Sequence, residues 1–210
     1  TARIWDAETG KEKEESPLTG HSDRVTSAAY SPDGRFIVTT SGDNTARIWD
    51  AETGKEKEES PLTGHTANVT SAAYSPDGRF IVTAGGDRTA RVWDAGAGEV
   101  VRTLSGHAYP VTSAAYSPDG RFIVTACGDW TARIWDAATG QVVRTLSGHT
   151  DAVNWAAYSP DGRFIVTAGD DGTARIWIAG INDLLAEAAH LIQRDPPLLT
   201  PEERRQYGLE

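Results

Sequence analysis

Thr45-Ala46-Arg47-Ile48-Trp49-Asp50 decides the reading of this chain, because the same six letters return along its 210 residues. The string TARIWD begins at Thr1, Thr45 and Thr131, is TARVWD from Thr89, and ends as TARIWI from Thr173. The steps are 44, 44, 42 and 42 residues. A period of a few tens of residues marks a repeat architecture, in which one block cannot bury its apolar surface until neighbours stack on it. Two further signatures keep the same beat. Gly-His falls at Gly20-His21, Gly64-His65, Gly106-His107 and Gly148-His149, and Ser-Pro-Asp-Gly starts at Ser31, Ser75, Ser117 and Ser159.

Working outward, each unit predicts four short strands. Val25 to Tyr30 is the first, and Ser31-Pro32-Asp33-Gly34 carries Pro, Asp and Gly where a type I turn wants them. Arg35 to Ser41 is β-branched and apolar, as a buried strand should be. A tight turn through Gly42-Asp43-Asn44 leads into Thr45 to Asp50, and a fourth strand follows Thr53-Gly54 and runs to about Pro61. The Lys-Glu-Lys-Glu-Glu runs at 11–15 and 55–59 fall on this outermost strand, where charge discourages edge-to-edge aggregation.

These motifs at this spacing resemble the WD-repeat β-propeller family. The resemblance covers residues 1–178: a partial repeat at 1–19, then repeats at about 20–63, 64–105, 106–147 and 148–178. It implies an all-β fold of four-stranded antiparallel blades arranged radially around a channel. Four full repeats and one partial one are fewer than the roughly seven usual in such rings. Three outcomes stay open: a truncated or open arc, which is favoured, two copies paired as a homodimer that completes a ring, or tight closure with about five blades. The chain begins in mid-repeat, which suggests that upstream sequence has been removed.

A hydroxyl, an imidazole and a carboxylate recur at matched positions in every full copy and invite a catalytic reading. The sets are His21, Thr39, Asp43, Trp49; His65, Thr83, Asp87, Trp93; His107, Thr125, Asp129, Trp135; and His149, Thr167, Asp171, Trp177. An enzyme needs one such site, not four. The resemblance implies a structural tetrad instead, with indole donating to Thr, Thr to His and His to Asp. No catalytic residue, metal ligand or cofactor site is assigned.

Departures from repetition point to function. The first two copies differ at Ser22/Thr66, Asp23/Ala67, Arg24/Asn68, Thr40/Ala84, Ser41/Gly85 and Asn44/Arg88. These positions sit after Gly-His or in and beside the Gly-Asp turn, loops that a propeller places on one face. The later copies bring Tyr109, Trp130 and Asp151 to the same loops, and Trp155 replaces a Ser in the first, channel-lining strand. Arg, Tyr and Trp are the commonest anchors of interfaces. Arg24, Asn44, Asn68, Arg88, Tyr109, Trp130, Asp151 and Trp155 are therefore the expected contact residues for a protein or peptide partner.

Bulk properties set the outer limits. A net charge of −10 argues against a nucleic-acid partner, which needs a basic footprint. No apolar run is long enough to span a membrane, and the lone Cys127 suits a reducing, cytoplasmic setting.

After Ile178 the period changes. Ile181, Leu184, Leu185, Ala188, Leu191 and Ile192 fall at helical spacing, which predicts a short helical tail over 179–210. This ending is similar to the tails of bacterial WD-repeat signalling proteins. The expected function is a non-catalytic interaction scaffold, the sensor or docking end of a larger signalling protein. An architectural repeat segment is the alternative, and a propeller hydrolase a distant third.

Overall fold

Ser31, Pro32, Asp33 and Gly34 fold back on themselves and set the first hairpin. The Ser31 hydroxyl donates to Asp33 at 2.6 Å and accepts the Phe36 N–H at 2.9 Å, and Gly34 takes a φ of 72°. This turn joins β1 (Val25–Tyr30) to β2 (Phe36–Ser41), which pair antiparallel from Tyr30↔Ile37 to Val25↔Ser41. β3 (Ala46–Asp50) pairs with β2 on its other side. The computed structural model describes residues 1–14 and 16–180. The helix expected at 181–192 lies outside the described residues.

The same hairpin logic recurs in three more sheets. The second holds β4 (Val69–Tyr74), β5 (Phe80–Gly85), β6 (Ala90–Asp94) and β7 (Val100–Leu104). The third holds β8 (Val111–Tyr116), β9 (Phe122–Cys127), β10 (Thr131–Asp136) and β11 (Val142–Ser147). The fourth holds β12 (Val153–Tyr158), β13 (Phe164–Gly169) and β14 (Ala174–Ile178).

Among the described residues, four strands in every copy is therefore too many. In the first sheet the segment after β3 makes only two bridges, Ala46↔Leu62 and Trp49↔Glu56. Its composition explains the loss: Pro61 has no N–H to give, and the Ser60 hydroxyl, not a carbonyl, accepts the Ile48 N–H at 3.1 Å. The corresponding β7 and β11 read Val-Val-Arg-Thr-Leu, with β-branched residues that suit a pleated ladder. Residues 1–18 repeat the weak pattern, bridging at Ala2↔Leu18 and Trp5↔Glu12.

Successive sheets stack face to face. Val38, Ile48 and Leu62 of the first meet Ala72, Ile81 and Trp93 of the second. Val82, Val92 and Leu104 meet Ala114, Ile123 and Trp135, and Val124, Ile134 and Leu146 meet Ala156 and Ile165. β5 and β9, with a sheet on each side, are buried over five of their six residues, and β2 matches them because Ile4 and Leu18 cover its front. Hydroxyls stitch the inner strands together: Thr26, Thr70 and Thr112 donate to the Val69, Val111 and Val153 carbonyls at 2.5, 2.8 and 2.6 Å. Ile4 and Leu18 cover Ile37 and Trp49 at the front of the first sheet.

Candidate functional site

Each sheet carries one hydrogen-bonded chain of four side chains. In the first, the Trp49 indole N–H donates to Thr39 Oγ1 at 2.8 Å, Thr39 Oγ1 stands 2.8 Å from His21 Nε2, and His21 Nδ1 stands 2.9 Å from Asp43 Oδ2. The separations are 2.9, 2.7 and 2.9 Å for Trp93, Thr83, His65 and Asp87. They are 2.8, 2.8 and 2.9 Å for Trp135, Thr125, His107 and Asp129. For Trp177, Thr167, His149 and Asp171 they are 2.9, 2.8 and 2.9 Å.

Donor counting fixes the protons. Indole can only donate, so the Thr oxygen accepts from it and gives its one proton to His Nε2. The imidazole then carries its proton on Nδ1 and donates it to the carboxylate. Asp43 also accepts the Ser22 and Thr45 N–H groups at 3.0 Å each and the Thr45 hydroxyl at 2.6 Å. The four Thr hydroxyls sit on fully buried residues between two fixed partners. A nucleophile needs an open approach, and these have none.

The charges follow from the same contacts. Burial works against ionisation of Asp43, Asp87, Asp129 and Asp171, but the neighbouring Thr hydroxyl, the His ring and backbone N–H groups outweigh it. All four carboxyls titrate below their ordinary value, Asp129 at about 2. Burial pushes the His65 and His107 imidazoles down, against the pull of Asp87 and Asp129, so both are neutral at neutral pH.

The loops that vary among copies lie at one end of the sheets. The Gly42 N–H donates to the Arg24 carbonyl at 2.9 Å, Gly86 to Asn68 at 2.8 Å, Gly128 to Pro110 at 3.0 Å and Asp170 to Ala152 at 2.8 Å. Each bond ties the loop after Gly-His to the Gly-Asp turn of its own sheet. Arg24, Arg88 and Asp151 are exposed there, Asn44 and Asn68 half-buried, and Tyr109 and Trp130 are 59% and 53% exposed. Trp155 stands apart, on β12 opposite Ala168, and is 51% exposed.

Sequence reasoning missed the backbone of these turns. Asn44, Arg88 and Trp130 have φ of 68°, 68° and 69°, and Gly172 holds the matching place in the fourth sheet at 74°. Side chains other than Gly and Asn pay about 1–2 kcal/mol in this left-handed region. Arg88 and Trp130 thus occupy positions that backbone sterics would give to glycine. The signal was present as the alignment of Asn44, Arg88 and Trp130 with Gly172.

Cys127 lies beneath this face. Its thiol donates to the Tyr109 carbonyl at 3.1 Å and accepts the Asp129 N–H at 3.3 Å, and burial pushes it up to about 12. With His107 and Asp129 it forms a cluster of ligating atoms within 4.8 Å. Both His107 nitrogens are already hydrogen-bonded, and the same tetrad stands around Ser41, Gly85 and Gly169 in the other sheets.

Concave space lies at the opposite end, where sequence reasoning placed nothing. A cavity of about 390 Å³ between the second and third sheets is lined by Pro76, Phe80, Val101, Tyr116 and Asp119. One of about 540 Å³ follows between the third and fourth, lined by Pro118, Phe122, Val143, Tyr158 and Asp161. These linings hardly vary among the copies, so comparing copies could not reveal them.

Sheets of three or four antiparallel strands, each closed by a Trp-Thr-His-Asp chain and stacked on the next, define a repeat scaffold with a variable loop face. The family described as WD domain, G-beta repeat matches at residues 12–50, 56–94, 98–136 and 140–177, and the chain belongs to it. Each match opens near the outer segment of one sheet and closes on the next Trp-Asp, at Asp50, Asp94 and Asp136, or at Trp177 in the last. Repeats of this family generally mediate protein–protein interaction and are typically non-catalytic. No curated protein matches the chain. Among the described residues, no helix is long and apolar enough to cross a membrane.

Proposed function

We propose that the loop end carrying Arg24, Asn44, Asn68, Arg88, Tyr109, Trp130 and Asp151 docks a protein or peptide, with Trp155 extending it along β12. The blades form a β-propeller arc, and the tetrads hold the loops without doing chemistry. The observation that carries this reading is the exposure of Arg88 and Trp130 on left-handed backbone, where Gly172 shows the unstrained choice. Strain of this kind persists where it serves contact. The exposed aromatic and Arg-bearing composition suits a protein surface better than a small molecule.

The chain acts in this reading as the docking region of a larger bacterial signalling protein in the cytoplasm. The buried, unpaired Cys127 supports the reducing compartment. The test is affinity capture with the chain and with a variant carrying Arg88→Ala, Tyr109→Ala and Trp130→Ala. Partners identified by mass spectrometry should be lost from the variant while its thermal unfolding is preserved. Retention of the same partners by the folded variant refutes the assignment of this face.

A further inference from the structure

Among the described residues, the third strand of the last blade lacks the cover that its counterparts have. Ile48, Val92 and Ile134 are 1%, 3% and 3% exposed because the next blade covers them, and Ile176 at the same place on β14 is 77% exposed. Ala174 is exposed where Ala46, Ala90 and Ala132 are buried. Among the described residues no fourth strand pairs with β14. At the other end Ala28 and Tyr30 are open, whereas Ala72 is buried and Tyr74 half-buried against the preceding blade.

Residues 1–18 carry what β14 lacks. Thr1–Trp5 matches Thr173–Trp177 residue for residue. It is bridged at Ala2↔Leu18 and Trp5↔Glu12 by an outer segment, and Arg3 pairs with Glu12 at 2.6 Å. Arg47 and Glu56 repeat that pair at 2.6 Å in the first blade. Arg175 holds the position of Arg3 and makes no ion pair among the described residues. Ile4 and Leu18 meanwhile occupy the front of the first blade, over Ile37 and Trp49. That is where Ile48 and Leu62 sit on Ile81 and Trp93 one blade later.

We propose that two copies of this chain join head to tail by exchanging this strand. β14 of one copy displaces Thr1–Asp6 from the first blade of the other, and Glu12 and Leu18 of that second copy bridge to β14 as they now bridge to Trp5 and Ala2. Ala174 then faces Leu18 of the second copy, and Arg175 meets its Glu12. The exchange swaps one Ala-Arg-Ile-Trp for another, so it is nearly neutral at that point, as strand swaps between identical protomers are. The burial of Ala174 and Ile176 is offset by the exposure of Ala2 and Ile4, so the net gain is the apolar surface at Ala28 and Tyr30, covered by the first two strands of the other copy's fourth blade.

The seam differs from the joints inside the chain. Asn154 and Trp155 replace the Thr and Ser whose hydroxyls bond the next inner strand at Thr112–Val153 and Ser113–Ala156, 2.6 and 3.0 Å. Without that stitching the joint relies on the strand pairing and apolar contact, so association depends on concentration.

The test uses the full chain with Leu18→Cys, Ala174→Cys and Cys127→Ser, the last a residue already tolerated at Ser41. Oxidation should give a disulfide-linked species of twice the chain mass on a non-reducing gel. Light scattering on the unmodified chain should show the two-chain mass at tens of micromolar, and Ile176→Asp, at an exposed site, should shift it to one chain with unfolding temperature kept. A disulfide formed within single chains, or a one-chain mass at every concentration, overturns the proposal. So does a one-chain species in which an Ile176→Cys thiol resists alkylation, since residues beyond 180 would then be the cover.

Discussion

His65 Nδ1 stands 2.9 Å from Asp87 Oδ2, and the same distance recurs between His21 and Asp43, His107 and Asp129, and His149 and Asp171. One end of the pair precedes β4 and the other lies in the turn between β5 and β6. The contact therefore joins two loops that the backbone alone would leave to a single bond, Gly86 N–H to the Asn68 carbonyl.

Thr83 is the keystone of that arrangement, accepting from the Trp93 indole and donating to His65. Thr83→Val keeps the shape and leaves two buried groups unpaired, each worth about 1–3 kcal/mol. Calorimetry should show a loss of roughly 5–15 °C in unfolding temperature for a chain of this size. An unchanged unfolding temperature would remove the structural role.

Acid should weaken the fold in two stages. The folded imidazoles of His65 and His107 titrate below the ordinary value of 6.5, so as pH falls past that value the unfolded chain takes up protons that the folded chain refuses. Stability then drops until the folded pKa is passed. Below 3.8 the tetrad carboxylates add a second loss, since unfolded Asp protonates first and the folded Asp129 holds out to about 2. Chemical denaturation at pH 8, 6, 5 and 3.5 should give a steadily falling midpoint; a rise toward acid contradicts the tetrad electrostatics.

Trp130→Gly separates stability from function. It relieves a left-handed backbone at φ 69° and should stabilise the fold by about 1 kcal/mol. The same change should cut partner affinity at least about tenfold if Trp130 is an interface anchor. Denaturant midpoints and titration of the captured partner read the two effects separately, and a more stable variant with full affinity would strip Trp130 of its role.

Thr112→Val probes the joint between blades. The Thr112 hydroxyl donates to the Val153 carbonyl at 2.6 Å, and its loss should cost about 1 kcal/mol. Hydrogen exchange should show the effect first in the fourth blade, which has a neighbour on one side only among the described residues. Uniform faster exchange across all four blades would place the joint's energy elsewhere.

Much of this was legible before any coordinates. Turn chemistry at Ser31-Pro32-Asp33-Gly34 and the β-branched run to Ser41 placed the hairpins within a residue or so. The tetrad members were visible because repetition held them constant while the loops changed. The failures have a physical cause too. Lys55 to Pro61 has the length and spacing of a strand, but a strand needs N–H groups to give, and Pro61 with the Ser60 hydroxyl breaks the ladder into two bridges.

The amino-acid order by itself determined the repeat, the strand hairpins, the constant polar residues and the loops where copies diverge, since all of these depend on local chemistry at a fixed period. Only the tertiary structure decided which side chains meet and which are left facing water. Ile48 and Ile176 occupy identical strings, yet one is buried and the other is 77% exposed. The difference lies in the neighbour, because burial belongs to the pair of packed surfaces and no single strand encodes it.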